Sequence, residues 1–317
     1  MAAIKEALQL ALRKWPEVIL LGEDIGLQGG AFGVTAGLWD EFGEERIIET
    51  PISENSFVGV AIGAAMHGLK PIVEIMFMDF ITLAADQIIN HASKIHYIYN
   101  GQFNVPLVIR TPAGGGRGYG PSHSQSLEPL FMSVPGLKIV EPSSAYDAKG
   151  LLLSSIIDPN PVLFIESKQL YQTYGDVPEE FYTIPLGQAS ILKEGKNISI
   201  ISYGRMIPPC LKAAQKLDAE GISAEIIDLR TLLPFDLKTL QFSIEKTKRV
   251  LTVEEPCVRS GIGSEIIATL VTEDSFKNFS FGRLGMAHCP IPSSRWLENQ
   301  LYPDELIIYK KAKQMVV

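Results

Sequence analysis

Short apolar runs alternate with segments of helical period along most of the chain. Ile4, Leu8, Ala11, Leu12 and Trp15 recur at helical spacing, and Pro16 stops the pattern. Residues 18–21 are continuously apolar up to Gly22, as in a strand buried on both faces. Further strand-like runs follow at 46–49, 71–76, 106–111, 138–140 and 161–165. Helical segments at 57–67, 81–97 and 146–157 lie among them. This alternation predicts an α/β fold with a parallel sheet covered on both faces. Residues 171–185 are polar and aromatic, without a period, and read as a linker. The pattern then restarts, with strands at 198–202, 224–228 and 249–253 and helices at 212–220, 237–246 and 264–271. A length of 317 residues accommodates two such domains.

Composition narrows the function classes. Hydrophobic residues make up 46% and charged residues 20%, which is the range of ordinary globular proteins and argues against disorder. The net charge of −8 and the lack of a Lys/Arg run set nucleic acid aside. The longest apolar candidate, 71–85, contains Glu74 and Asp79, so no membrane span is expected. The opening residues show no cationic stretch ahead of an apolar core. Cys210, Cys257 and Cys289 form no CxxC, so neither a disulfide framework nor a zinc site is expected. His67, His91, His96 and His288 form no HExxH. The expected setting is a reducing compartment, the cytoplasm first and an organelle matrix second.

In open parallel sheets, ligands bind beyond the carboxyl ends of the strands. That rule selects Glu23-Asp24, the stretch 50–54, the stretch 77–80 and the stretch 112–125. Glu54 opens a helix rich in small residues, which predicts a buried helix. It reads either as a carboxylate favoured by the helix dipole or as a buried acid with a raised pKa, suited to proton transfer. Phe77 and Phe80 read as core residues, although Asp79 between them favours a rim where one ring stacks on a flat ligand. The segment from Gly114 to Gly120 is neither GxGxxG nor a phosphate loop, and reads as a flexible loop. His123 follows it on the ligand side, which raises its chance of a role beyond structure. The Asp158-Pro159-Asn160-Pro161 run is a turn by composition, and its oxygens suit a hard cation as well.

These phrases resemble a known family. Leu21-Gly22-Glu23-Asp24, Thr50-Pro51-Ile52-Ser53-Glu54, the stretch 74–80, Asp86-Gln87-Ile88-Ile89-Asn90 and His123-Ser124-Gln125-Ser126 carry the match. Pro135-Gly136-Leu137-Lys138, Asp147-Ala148-Lys149-Gly150-Leu151 and Asp228-Leu229-Arg230-Thr231 extend it in order along the chain. The chain is similar to the β subunit of the thiamine-diphosphate-dependent decarboxylase component of 2-oxo acid dehydrogenase complexes.

The resemblance implies a pyrimidine-binding parallel-sheet domain over 1–175, a linker over 176–185 and a transketolase-type C-terminal α/β domain over 186–317. It implies that Glu54 hydrogen-bonds the aminopyrimidine ring nitrogen of thiamine diphosphate, and so promotes proton transfer there. Phe80 would pack on the pyrimidine, Ile52 would contact it, and Glu23 would lie close by. His123 would serve the substrate and the incoming lipoyl group. The family's potassium site would map to Leu107, Ser155, Ile156, Asp158 and Asn160.

No Gly-Asp-Gly occurs in the chain, the motif by which such enzymes hold the diphosphate through Mg²⁺. The resemblance therefore implies a separate α subunit that carries the magnesium, in an α₂β₂ enzyme. It also implies docking to a lipoyl-bearing dihydrolipoyl acyltransferase. Pyruvate is the first expected substrate, branched-chain 2-oxo acids the second and acetoin the third. The reading from a different class is an inert assembly or regulatory subunit, against which Glu54, Phe80 and His123 argue. A self-contained transketolase-like enzyme is opposed by the missing magnesium motif.

Overall fold

The computed structural model describes residues 1–272 and 276–317. The chain forms two compact units, one of Met1–Ala113 with Leu130–Leu186 and one of Gly114–Pro129 with Gly187–Val317.

The first unit contains α1 (Ala2–Lys14), β1 (Val18–Gly22), α2 (Leu38–Phe42), β2 (Ile47–Glu49), α3 (Glu54–Met66) and β3 (Lys70–Glu74). It continues through α4 (Ile95–Ile98), β4 (Val108–Ala113), β5 (Lys138–Val140), α5 (Ala145–Ile157) and β6 (Val162–Ser167). Its strands lie side by side in the order β5-β6-β4-β3-β1-β2, each pair parallel. Strands β1, β4 and β6 are buried throughout, as expected of central strands covered on both faces. Ile4, Leu8, Ala11 and Leu12 of α1 join Val18, Leu20, Val162 and Phe164 in one core.

Two expectations change here. Residues 81–97 form no single α-helix, but a 3₁₀ stretch (Met78–Ala84), a π-helical stretch (Gln87–Ala92) and then α4. Ile81, Thr82, Ile88, Ile89 and Ile95 are β-branched and weaken a regular helix. The stretch also packs tightly against α3, since a Cβ on Gly59 would lie 3.2 Å from Gln87 Oε1. Helix α3 is only partly buried, with Val60 62% exposed.

The stretch 176–185 is strapped to the first unit. Lys149, fully buried on α5, donates to the carbonyls of Pro178 and Glu179. Tyr182 stacks on Tyr146 at 4.7 Å, and Ile184 is buried in the core. Gly150 permits this approach, because a Cβ there would come within 2.7 Å of both Ile184 and Tyr182.

The second unit contains β7 (Ser190–Lys193), β8 (Ile198–Ser202), α6 (Ile207–Asp218), β9 (Ala224–Asp228), β10 (Thr231–Leu233) and α7 (Leu237–Thr247). It ends with β11 (Arg249–Cys257), α8 (Ile262–Val271), β12 (Ser280–Met286), α9 (Arg295–Glu298) and α10 (Glu305–Val316). Its five-stranded sheet has the order β12-β11-β8-β9-β7, parallel except for the β9–β7 pair. Edge strands β7 and β12 keep exposed or half-exposed positions, so a search for continuous apolar runs misses both. Among the described residues no helix is long and apolar enough to cross a membrane.

Candidate active site

Two carboxyls meet at the carboxyl ends of β1 and β2. Glu23 directly follows β1, and Glu54 is the first residue of α3, after the turn that leaves β2. Both are 5% exposed. Burial raises the Glu23 pKa, the charges of Glu54 and Asp24 add to the shift, and a backbone contact with Ser53 opposes it. Glu23 Oε1 is buried without a hydrogen-bond partner. Beside this recessed acid pair Ile52 is 83% exposed.

Phe77 and Phe80, which follow β3, are half-buried. Phe77 packs edge-on against Phe32 at 5.4 Å and against Phe80 at 6.2 Å, and the Lys168 ammonium lies 5.0 Å from its ring. Asp79 is buried rather than placed on a rim. Behind the strand ends, Arg110 on β4 bridges Glu74 at 2.8 Å and Glu166 at 2.6 Å, and the Tyr171 hydroxyl donates to Glu166 at 2.6 Å. Burial works against the Arg110 charge, yet the Glu166 and Glu74 carboxylates raise its pKa. Pattern reading does not find this network, because Glu74, Arg110 and Glu166 each look like an isolated charge in an apolar strand and Tyr171 lies beyond the strands.

His123 lies in the second unit. It is half-buried, its Nδ1 lies 3.1 Å from Ser122 Oγ, and its backbone N–H donates to the Gly120 carbonyl at 3.5 Å. The glycine-rich segment before it is not a loose loop. Gly114, Gly115 and Gly116 are buried, and the Gly114 N–H closes the loop onto the Gln125 carbonyl at 3.2 Å. Glu128, five residues past His123, is a further buried acid that pattern reading overlooks. Burial pushes its pKa up to about 8, with repulsion from Glu255 adding and the Tyr203 hydroxyl, donating at 3.1 Å, opposing.

The Asp158–Asn160 turn in the first unit is closed by its own side chain. Asp158 Oδ1 accepts from the Asn160 backbone N–H at 3.0 Å and from its Nδ2 at 3.1 Å. Asp158 Oδ2 pairs with the Lys138 ammonium. The Leu107 carbonyl accepts from the Val162 N–H at 2.9 Å, and the Ser155 carbonyl from the Asp158 N–H at 3.3 Å. Each of these carbonyls retains a second lone pair.

Comparison with known proteins places this geometry in context. Residues 1–173 match the family described as transketolase, pyrimidine binding domain, and residues 187–305 match transketolase, C-terminal domain. The acetoin:2,6-dichlorophenolindophenol oxidoreductase subunit beta of Bacillus subtilis is 44% identical over 315 residues, covering 95% of this chain and 92% of its own length. The pyruvate dehydrogenase E1 component subunit beta of Acholeplasma laidlawii is 45% identical over 275 residues, covering 86% of this chain and 84% of its own. A split-gene transketolase, solved as an inactive β4 tetramer, shares the fold with a TM-score of 0.79 at 24% identity, covering 99% of this chain and 96% of its own.

Proposed function

Because the chain belongs to the transketolase-type β subunits of 2-oxo acid and acetoin dehydrogenases, a family of thiamine-diphosphate enzymes, we propose that it supplies the aminopyrimidine half of the active site in an α₂β₂ decarboxylase. The observation that supports this most is the Glu54 carboxyl, recessed at the first turn of α3 beside Glu23 with no protein hydrogen-bond donor among the described residues. The residues present fit the cofactor. A buried acid without a donor suits a basic ring nitrogen, and the half-exposed Phe80 ring and the exposed Ile52 suit a flat apolar face.

When bound, thiamine diphosphate supplies the carbanion-stabilising chemistry of 2-oxo acid cleavage. Glu54 holds a proton at the ring nitrogen, and low local dielectric strengthens that bond. Glu23, whose pKa burial raises above the ordinary carboxyl value, stands next to Glu54 as a second group able to hold a proton. Phe80 and Ile52 fix the ring plane and keep water away. His123 orients the substrate and the incoming lipoyl group of a dihydrolipoyl acyltransferase. The α subunit carries the magnesium and the diphosphate contacts.

Pyruvate is the proposed substrate. Acetoin is the second reading, favoured by the 44% identity to an acetoin oxidoreductase β subunit across 95% of the chain. Branched-chain 2-oxo acids are the third. Co-expression with the α chain and turnover on pyruvate, branched 2-oxo acids and acetoin tests the assignment. The fastest substrate orders the three readings, and no turnover on any of them sinks the assignment.

We also propose a structural potassium ion held by the carbonyls of Leu107, Ser155 and Ile156 with Asp158 and Asn160. Spare carbonyl lone pairs beside a carboxylate are the donor set of such an ion, and the Lys138 ammonium shares the Asp158 charge. The assembled enzyme is expected to melt about 2–5 °C higher in potassium than in sodium at equal ionic strength. Identical melting curves would count against the ion.

A further inference from the structure

Two of the buried acids of the second unit, Glu298 and Glu255, meet one loop and take no part in the chemistry described above. Glu298, fully buried at the end of α9, accepts from the Gly116 N–H through Oε1 and from the Gly118 N–H through Oε2, both at 2.7 Å. Glu255 accepts from the Gly115 N–H at 2.8 Å and pairs with Arg205 at 2.7 Å. The Arg205 guanidinium in turn lies 4.1 Å from the Tyr302 ring centroid. Three amides within one short loop are thus held by two carboxylates.

Only glycine allows this approach. A Cβ on Gly115 would lie 2.1 Å from the Tyr302 hydroxyl and 2.6 Å from Glu298 Oε1. A Cβ on Gly118, where φ is +74°, would lie 2.8 Å from Arg295 Cγ. The glycines therefore serve close packing of backbone onto carboxylate rather than freedom of movement. With the Gly114 N–H bonded to the Gln125 carbonyl, the loop that presents His123 is fixed at its closure and along its inner arm.

We propose that Glu298 is a positioning residue, whose carboxylate holds the loop 114–120 and thereby sets His123 for acyl transfer to the lipoyl group. The second half of this statement rests on the role given to His123 above. A carboxylate offers acceptors on both oxygens, and charge-assisted bonds of this length are among the strong ones. A glutamine of the same size keeps one acceptor but turns an NH₂ toward the other amide, so the loop loses one anchor and gains a donor–donor contact.

The test uses the enzyme assembled with its α partner, as wild type, Glu298→Gln and Glu298→Asp, with assembly checked by size-exclusion chromatography. Amide exchange over 114–120 is expected to be slow in the wild type and at least about tenfold faster in Glu298→Gln. Tryptic cleavage after Arg117 should accelerate in parallel. Acyl transfer to a free lipoyl domain should fall at least about tenfold, and turnover with a small artificial electron acceptor, which needs His123 only to orient the substrate, should fall less. Glu298→Asp, which restores the charge, should recover part of both losses.

Fast exchange over 114–120 in the wild type, or unchanged exchange in Glu298→Gln, overturns the proposal. Faster exchange with undiminished acyl transfer overturns the link to His123. Absence of turnover in the wild type on 2-oxo acids and acetoin alike would instead count against the functional assignment, and the exchange data would still decide the clamp. Should Glu298→Gln fail to assemble, slow exchange in the wild type supports the clamp and fast exchange overturns it.

Discussion

Glu54→Gln is expected to lower turnover by about 10²–10⁴-fold, the range of a lost general acid–base contribution, while the assembled enzyme keeps its fold. The substitution is nearly isosteric. Among the described residues no cation pairs with Glu54, so no ion pair is broken. The main structural loss is the favourable placement of a charge at the start of α3, worth about 0.3–1 kcal/mol at a helix N-terminus. The chemical loss is larger, because an amide cannot hand a proton to a ring nitrogen and take it back. The charge of Glu54 also helps hold the Glu23 pKa up. Removing it should let the Glu23 pKa fall, so Glu23 would hold a proton less readily. Steady-state turnover and melting temperature, measured on the same preparation, check both halves. Near-normal turnover would refute the role of Glu54.

The chain by itself is expected to show no thiamine-diphosphate-dependent turnover, and mixing with the α subunit should restore it. Three observations lead to this expectation. The sequence lacks Gly-Asp-Gly, so nothing recognisable holds a diphosphate through magnesium. Ile52, in the turn before Glu54, is 83% exposed, and Val60, farther along α3, is 62% exposed. Glu23 Oε1 is buried with no partner, a cost of about 1–3 kcal/mol that an incoming donor would offset. Titration of the purified chain with its α partner, followed by turnover and by melting temperature, checks the expectation. Stability should rise with partner concentration, as it does for any ligand that binds only the native state. Robust activity of the chain alone would overturn the half-site reading.

The positions of Glu23 and Glu54 were legible in sequence for a local reason. Glu23 and Glu54 each lie at or just after a strand end, and the apolar runs of β1 and β2 place those ends within a residue or two. A strand, a turn and a helix start are decided by neighbouring residues, so pattern alone locates them. The same logic recovers α1, α5 and the central strands. It fails at 81–97, where helical period is present but β-branched residues and close packing against α3 break the helix into three pitches. It also fails at 176–185, whose polar and aromatic composition hides a strap held by the buried Lys149.

The α/β class and the two-domain plan were readable from the sequence, which also singled out the acid at the start of α3 and the missing Gly-Asp-Gly. Each depends on periodicity, on a contiguous motif or on a motif's absence, all of which are properties of short stretches. The hold on the glycine-rich loop, by contrast, shows itself only once the chain is folded. Gly115 and Glu255 are 140 residues apart, and Gly116 and Glu298 are 182 apart. Hydrophobic period tells which side of an element faces the core. It says nothing about which distant carboxylate will meet a given amide, because that choice is made by the packing of whole elements. A run of glycines reads as flexible when its neighbours along the chain are all that is known, and as fixed once the groups that fill the space around it are in place.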